Sequence, residues 1–313
     1  MTADFTLAGD STPEGRLERA LASLRGLSVG DALGSQFFVP SNYPLLKLRE
    51  LPPGLWQWTD DTEMGASVVA VLAALGRIDQ DTLARSFAER HDFDRGYGPA
   101  VNRMLRLVRE GGDWRELAAG LFNGQGSWGN GAAMRIAPLG AWYADDPEQA
   151  THQAEISAYT THQHREAVAG AMAVAAAAAL AADPAGPPSP EALLDGVVAL
   201  VPRSAVGAGL RRARDMLDYD DAGTVAAVLG CGRRTSAQDT VPFALWSAAR
   251  ALGDFERGFW ATAQVGGDVD TNCAIVGGVI AASTAGAPPE LWRERTEELP
   301  GWLSSGMTDG PRA

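Results

Sequence analysis

Apolar residues recur every three to four positions along most of the chain. Near the N-terminus, Leu17, Leu21, Leu24 and Val29 follow this spacing, which places them on one face of a helix. Strong helix formers are frequent, and runs of alternating β-branched residues are rare. The spacing predicts further helices over residues 62–76, 80–91, 98–110, 131–143, 147–160, 164–182, 190–201, 204–218, 239–252, 255–265 and 271–285. The predicted fold class is therefore all-α.

Length and composition are typical of a globular domain with a full core. The chain has 313 residues, of which 46% are hydrophobic. The stretch DPAGPPSP at 183–190 is brief, and helix-rich composition continues beyond it, so we interpret it as a loop between helices. We expect one domain over residues 14–303, with flexible ends at 1–13 and 304–313.

The charge excludes several classes of partner. A net charge of −13 and a pI near 4.7 argue against non-specific binding to nucleic acid or to anionic membranes. The two cysteines, Cys231 and Cys273, lack the spacing of a disulfide framework or a thiolate zinc site. The alanine run at 167–182 is weakly hydrophobic, and the first residues do not resemble a signal peptide. We expect a cytoplasmic protein without a membrane span.

Polar oxygen ligands cluster just before the apolar stretch CAIVGGVIAA. In the preceding GGDVDTN, Asp268, Asp270 and Asn272 occupy the first, third and fifth places of a calcium loop. Such a loop needs Gly at its sixth place and Glu at its twelfth, where this chain has Cys273 and Val279, so an EF-hand is excluded. Taken alone, the stretch is better explained by a plain helix cap.

A second stretch, WTDDTEM, repeats this arrangement at another predicted helix start. Adjacent carboxylates repel each other, which a cap does not require and a bound cation reverses. Two such loops suit two hard divalent cations, because Mg²⁺ and Mn²⁺ prefer oxygen ligands. The candidate ligands are Thr59, Asp60, Asp61, Asp268, Asp270 and Thr271.

At this point the sequence resembles the ADP-ribosylglycohydrolases, a family with bacterial members and with eukaryotic members that remove ADP-ribose from arginine or serine. The resemblance runs in order through GLSVGDALGS, WTDDTEM, FNGQGSWGNGAAMRIAPLG, THQHREAVAGA and GGDVDTNCAIVGGVIA. It implies a single compact orthogonal helix bundle with a binuclear Mg²⁺ site in a cleft, Mn²⁺ being possible. The same six residues become the metal ligands, and Asp31 orients them.

The resemblance also implies the substrate and the reaction. The ligand is ADP-ribose on a protein side chain or a small acceptor, and the C1″ glycosidic bond is cleaved while the metals hold the ribose. Asp60, Asp61 or Glu63 would supply the catalytic carboxylate. Oligomeric state is not indicated.

The glycine-rich stretch FNGQGSWGNGAAMR at 122–135 is typical of an anion-binding loop. Its glycines let backbone amides approach a diphosphate, and the following helix adds its N-terminus. By resemblance the substrate-binding residues are Ser127, Gly129, Asn130 and Gly131 at the diphosphate, Phe122 and Trp128 at the adenine, and His162 near the diphosphate and ribose. The string is most similar to the serine-specific branch. A core position for Trp128 and a packing position for His162 are the structural alternatives.

One position departs from the family pattern. Many relatives have a Glu four residues after GDALG, where this chain has Phe38, with Gln36 nearby. Loss of that carboxylate allows a second hypothesis, a protein that binds ADP-ribose without efficient turnover. The complete set of candidate metal ligands favours a hydrolase instead. A third hypothesis is a metal-dependent phosphohydrolase of nucleotides, although four histidines supply a histidine-based metal site poorly.

Overall fold

The structure, a computed structural model, describes residues 11–303. Within that range it contains no β-strand and only two isolated β-bridges, so the all-α prediction is confirmed. The α-helices in chain order are α1 (Pro13–Ser35), α2 (Tyr43–Leu48), α3 (Asp60–Leu75), α4 (Gln80–Arg90), α5 (Pro99–Arg109), α6 (Trp114–Gly124), α7 (Gly131–Met134), α8 (Ala137–Trp142), α9 (Pro147–Tyr159), α10 (Arg165–Ala181), α11 (Pro190–Leu200), α12 (Ala205–Asp215), α13 (Ala222–Leu229), α14 (Ala237–Arg250), α15 (Phe255–Ala263), α16 (Val269–Ala282) and α17 (Glu290–Arg295). Short 3-10 helices span Gln36–Phe38, Pro40–Asn42 and Phe93–Arg95.

The predicted helices differ from the observed ones in two respects. The helix expected over 131–143 is two helices, α7 and α8, because Pro138 has no amide hydrogen to continue the ladder. The pattern did not predict α2, α6, α13 and α17. Of these, α2 and α17 have only six residues each, too few for a periodic pattern to be read.

The predicted flexible ends fall mostly on residues 1–10 and 304–313, which lie outside the described residues. Helix α1 begins at Pro13, and the Thr12 hydroxyl accepts a hydrogen bond from the Gly15 amide at 3.2 Å. One large cluster of buried side chains includes residues from α1 to α17, and the extent of one domain over 14–303 stays a prediction.

Helices α1 and α16 pack unusually close together. A methyl group at Gly30 would overlap the Cys273 carbonyl oxygen, and one at Gly34 would lie 2.9 Å from Asp270 Cα. Glycine at these positions therefore permits the close approach of the two backbones. This packing brings the C-terminal half of α1, which carries Asp31, against the first turn of α16.

The alanine-rich helix α10 lies in the interior. Nearly all of its residues are buried, and it packs against α7, α8, α9, α11, α14 and α16. Small side chains allow several helices to contact it at once. In the described part of the chain, no helix is both long enough and apolar enough to cross a bilayer.

Candidate active site

Two helix N-termini meet where α3 and α16 begin. Thr59 precedes α3 and Asp268 precedes α16, yet neither side chain accepts a capping hydrogen bond from a backbone amide in the first turn of its own helix. A cap side chain normally makes this bond. The helix-cap interpretation of these two residues is therefore not supported, and their oxygens serve other contacts.

Three carboxylates from three helices converge at this point. Asp31 of α1, Asp61 of α3 and Asp270 of α16 each place an oxygen within 4.8 Å of the others. Asp31 is fully buried, Asp61 is 1% exposed, and Asp60 and Asp268 are partly exposed beside them. Five carboxylates thus share one small volume.

Asp31 fixes the start of α3. Its carboxylate accepts hydrogen bonds from the Thr59 amide and hydroxyl at 2.9 and 2.7 Å. It accepts two more from the Thr62 amide and hydroxyl at 3.1 and 2.6 Å. Four donors occupy both of its oxygens, which suits the predicted role of orienting the neighbouring ligands.

The carboxylates of the cluster disfavour one another's charged form. Burial raises the pKa of Asp60 to about 8, with a further contribution from the charge of Asp31. Burial likewise raises the pKa of Asp61 and Asp270 well above the usual range, followed by the charges of neighbouring aspartates. None of the five carboxylates has an ion pair within residues 11–303.

An orphaned oxygen indicates what the cluster lacks. Asp61 Oδ1 is buried and has no hydrogen-bond partner, a costly state for a carboxylate oxygen. A divalent cation would satisfy this oxygen and compensate the crowded charges at once. The donor set, all carboxylate and hydroxyl oxygen, fits a hard cation such as Mg²⁺ or Mn²⁺, so the buried acidic group could hold a metal.

A cleft of about 470 Å³ opens above the cluster. Predicted site residues that line it are Asp60, Asp61, Phe122, Ser127, Trp128, Gly129, Asn130, Gly131, His162, Asp268, Asp270 and Thr271. A larger cavity of about 720 Å³ adjoins it and shares Arg234 with it. That cavity holds none of the predicted residues, so we assign the chemistry to the smaller cleft.

The glycine-rich loop forms one wall of the cleft. The Gly129 amide donates to Ser127 Oγ at 3.2 Å, and the Asn130 amide donates to the Thr235 carbonyl at 3.1 Å. The Asn130 side chain donates to Asp268 Oδ2 at 2.6 Å, which joins this wall to the carboxylates. Helix α7 has only four residues, so the predicted dipole contribution of the following helix is small.

His162 lies beneath this loop as a neutral ring. Burial, followed by the charge of Arg135, lowers its pKa to about 3. The Thr161 hydroxyl accepts a hydrogen bond from Arg135 at 3.0 Å and lies 2.7 Å from His162 Nδ1. The hydroxyl can donate its own hydrogen to Nδ1, and in that tautomer the ring hydrogen lies on Nε2. A methyl group at Gly131 would lie 3.0 Å from Nε2, so glycine makes room for this donor at the cleft wall.

Two aromatic rings stand at the open end of the cleft. The centroids of Phe122 and Trp128 are 4.8 Å apart, with an angle of 41° between the ring planes. Phe122 is 45% exposed and has a φ of 51°, a left-handed conformation that is rare for an aromatic residue. Trp128 is partly exposed against His164, so the alternative of a core position for Trp128 does not hold.

Glu63 lies elsewhere than the sequence led us to expect. Its carboxylate accepts hydrogen bonds from the Tyr97 hydroxyl at 2.6 Å and the Asp92 amide at 3.1 Å. It does not line the cleft, and its bonds instead hold the loop that contributes Gly96 and Gly98 to the cleft wall. A role as the proton acceptor is therefore not supported by its geometry.

The segment that carries the departure from the family pattern also lies away from the cleft. Phe38 is 49% exposed at the end of a 3-10 helix, and neither Phe38 nor Gln36 lines the cleft. Arg234 and Thr235 do line it, although the sequence motifs did not predict them. Two adjacent arginines in an acidic chain were the available signal.

Comparison with known proteins places this geometry in a family. The family model described as ADP-ribosylglycohydrolase matches residues 12–309. The chain is 28% identical to a solved structure described as an ADP-ribosylglycohydrolase-related protein complex, with a TM-score of 0.60 and coverage of 93% of this chain and 95% of that chain.

Several proteins are similar in sequence to this chain over most of their length. An uncharacterized protein of Archaeoglobus fulgidus is 32% identical, over 88% of this chain and 92% of that protein. The ADP-ribosylhydrolase ARH3 of Homo sapiens is 27% identical, over 90% of each. The ADP-ribosylarginine hydrolase Tri1 of Pseudomonas putida is 27% identical, over 91% of this chain and 76% of that protein. The chain is thus an enzyme of the ADP-ribosylglycohydrolase family, an ADP-ribosyl hydrolase.

Proposed function

We propose that the enzyme cleaves the C1″ glycosidic bond of ADP-ribose attached to a protein side chain or a small acceptor, and that it requires Mg²⁺. One observation carries this proposal. Two uncapped helix starts present buried, uncompensated carboxylates to a cleft that is also lined by a glycine-rich loop and an aromatic pair. This arrangement suits a cation, a diphosphate and an adenine side by side.

Six residues would hold two metal ions. The proposed ligands are Thr59, Asp60, Asp61, Asp268, Asp270 and Thr271. Bound there, Mg²⁺ or Mn²⁺ would act as a Lewis acid, fix the ribose hydroxyls and lower the pKa of water. Asp31 holds Thr59 through two of its hydrogen bonds, so we expect the ligand geometry to depend on it.

The rest of the cleft would bind and orient the substrate. Phe122 and Trp128 would hold the adenine ring between or against their faces. The Gly129 and Asn130 amides are used within the protein, so the amides of Ser127, Trp128 and Gly131 would donate to the diphosphate. The neutral His162 would donate from Nε2 without adding charge.

We assign the proton transfer to Asp60, with Asp61 as the alternative. A water molecule attacks C1″ and gives its proton to this carboxylate while the bond from C1″ to the acceptor breaks. The proton then passes to the departing oxygen or nitrogen of the acceptor. Asp60 and Asp61 line the cleft, whereas Glu63 is held by Tyr97 and Asp92, so these two aspartates, and not Glu63, are within reach of such a water.

The acceptor is the finer part of the proposal. The aromatic and glycine-rich string is most similar to the serine-specific branch, and ARH3 is a relative over 90% of the chain. Tri1 is named as an ADP-ribosylarginine hydrolase. We therefore propose serine-linked ADP-ribose first and the arginine-linked form second. A cytoplasmic location stays a prediction from composition.

A panel assay tests the reaction. Serine-linked, arginine-linked and O-acetyl ADP-ribose are incubated with the enzyme in Mg²⁺, in EDTA, and in EDTA followed by excess Mg²⁺. We expect free ADP-ribose as the product, loss of turnover in EDTA and recovery with Mg²⁺. Release of AMP would instead mean a phosphohydrolase.

Phe38 favours one other outcome of the same assay. At this position the chain lacks the carboxylate that many relatives have. If the protein binds ADP-ribose without turnover, it is an ADP-ribose-binding protein and not a hydrolase. Titration calorimetry of ADP-ribose beside the panel separates the two, since tight binding with no product from any substrate contradicts the hydrolase.

A further inference from the structure

The cleft that would receive a diphosphate is almost without positive charge. Of the residues that line it, Arg234 alone carries a cationic side chain, because His162 is neutral with a pKa of about 3. The same cleft is lined by Asp60, Asp61, Asp268 and Asp270. The negative charge of an entering diphosphate group can therefore be balanced only by Arg234 or by cations bound at the aspartates.

Arg234 is free to serve that role. It is exposed, and its guanidinium has no hydrogen bond or ion pair with any described residue. Arg49 and Arg250, in contrast, are used within the fold, in bonds from Arg49 to Gln264 and from Arg250 to Asp220. An arginine without a partner at the edge of a cleft has its full set of donors available to a ligand.

The backbone that carries Arg234 is fixed to the glycine-rich loop. The Arg234 amide donates to Asp239 Oδ2 at 2.8 Å, and the Thr235 amide donates to the Gly232 carbonyl at 2.7 Å. The Thr235 carbonyl in turn accepts from the Asn130 amide at 3.1 Å. Thr235 has a φ of 49°, a left-handed conformation that is uncommon for threonine and that concentrates at functional sites. These bonds hold the backbone around Arg234, so its side chain is the part that can adjust to a ligand.

We propose that Arg234 binds the diphosphate of ADP-ribose and sets the specificity of the cleft for diphosphate-bearing ligands. This inference rests on the proposed function, since it assumes that the glycine-rich loop receives the diphosphate. From its place in the cleft lining, the guanidinium donates paired hydrogen bonds to the diphosphate oxygens. Arg234 acts on binding and positioning and takes no part in proton transfer.

Titration calorimetry in Mg²⁺ with ADP-ribose and with adenosine tests this assignment. For R234A we expect the Kd of ADP-ribose to rise tenfold or more, the usual consequence of losing a charged hydrogen-bond partner. The Kd of adenosine, which has no phosphate, should change less than about twofold. R234K should lie between R234A and the wild type, because it keeps the charge and loses the fork.

Arg233 provides a matched control. It is the neighbouring residue on the same loop, is equally exposed, and lines the adjoining cavity but not the cleft. We expect R233A to change the Kd of ADP-ribose less than about twofold. Equal losses in R233A and R234A, equal losses for ADP-ribose and adenosine, or an unchanged R234A would each overturn the proposal.

Turnover separates this proposal from the proposed function. On the substrate that the wild type cleaves, R234A should raise KM with kcat changed less than about threefold. Turnover by the wild type with an unchanged R234A contradicts only the role of Arg234. Binding that depends on Arg234 without turnover of any substrate contradicts only the hydrolase, and absence of ADP-ribose binding by the wild type contradicts both.

Discussion

Asp254 and Asp268 are the N-cap residues of the consecutive helices α15 and α16, but their side chains make different contacts. Asp254 accepts a hydrogen bond from the Arg257 amide at 3.0 Å and caps α15. Asp268 begins α16, makes no such bond, and accepts from the Asn130 side chain at 2.6 Å. The same residue type at the same helix position is therefore a stabilising cap in one place and part of a cleft in the other.

The charges differ as well. Asp79 and Asp221 cap α4 and α13, and hydrogen bonds from Thr82 and Thr224 lower their pKa. Burial raises the pKa of Asp268, and it raises the pKa of Asp61 and Asp270 well above the usual range. A cap stabilises the folded chain through its charged form, whereas the cluster destabilises that form until a cation arrives. The helix starts at Asp79, Asp221 and Asp254 follow the usual capping pattern. The helix starts at Thr59 and Asp268 depart from it at the candidate active site.

Among the tests of this difference, Asp270→Asn has the largest expected effect. We expect kcat on the substrate that the wild type cleaves to fall at least about 1000-fold, equivalent to about 4 kcal/mol, because a metal ligand is lost. The fold should survive, and the metal-free protein should melt higher, since asparagine removes a buried carboxyl group that must otherwise take up a proton or repel its neighbours. Asp254→Asn is the matched control, because asparagine caps as well as aspartate, and it should change neither quantity. An unchanged kcat in Asp270→Asn would remove Asp270 from the proposed ligand set.

The next effect is a dependence of metal-free stability on pH. The folded protein holds a proton on Asp60, whose pKa is about 8, while the unfolded chain releases that proton near its ordinary value of 3.8. Between these values the folded state binds more protons, so the free energy of unfolding falls as pH rises. From pH 6.5 to 8 we expect a loss of about 2 kcal/mol in EDTA.

His162 does not disturb that window. Its folded pKa is about 3 and its ordinary value is 6.5, so its own contribution to stability changes at lower pH, where stability falls on acidification. Denaturant unfolding at several pH values in EDTA measures the slope, and Asp60→Asn should reduce it. Mg²⁺ should stabilise the wild type more at pH 8 than at pH 6.5. If the free energy of unfolding in EDTA does not change with pH, the carboxylates of the cluster do not repel one another.

A smaller effect is expected at a plain cap. Asp254→Ala removes the acceptor for the Arg257 amide, which should cost about 1 kcal/mol of stability and lower Tm by about 2 °C. Activity should stay within about twofold of the wild type, measured at a temperature well below Tm. Asp254→Asn should restore Tm. A large loss of activity in Asp254→Ala would mean that α15 supports the cleft more directly than its cap indicates.

The sequence predicted the helices and the two carboxylate loops because both are local patterns. Thr59, Asp60 and Asp61 are consecutive, and their position at a helix start follows from the apolar run behind them. The sequence shows the glycines of α1 that let Asp31 approach α16, but it does not show which helix packs against those glycines. Which backbone a glycine admits is decided by tertiary packing, as Gly30 against the Cys273 carbonyl illustrates.

The same limit explains Arg234 and the helix expected over 131–143. Arg234 reaches the cleft only because Asn130 and Thr235 pair across more than a hundred residues of sequence. No motif encodes that pairing. The predicted helix was wrong for a local reason, since the apolar spacing continued through Pro138 and hid the lost amide.

The smallest expected effect belongs to Glu63, which the sequence placed with the catalytic carboxylates. Glu63 follows Asp60 by one helical turn, so the two side chains should share a face of α3. The Tyr97 hydroxyl and the Asp92 amide draw the Glu63 carboxylate toward the neighbouring loop instead. Glu63→Gln keeps an oxygen that accepts from Tyr97, so we expect kcat to change less than about threefold and Tm to fall slightly. Tyr97→Phe, which removes the donor to Glu63, should change kcat as little. If Glu63→Gln lowers kcat as far as Asp60→Asn does, while Tyr97→Phe does not, then Glu63 and not Asp60 accepts the proton, and the uncapped helix starts supply only the metal ligands.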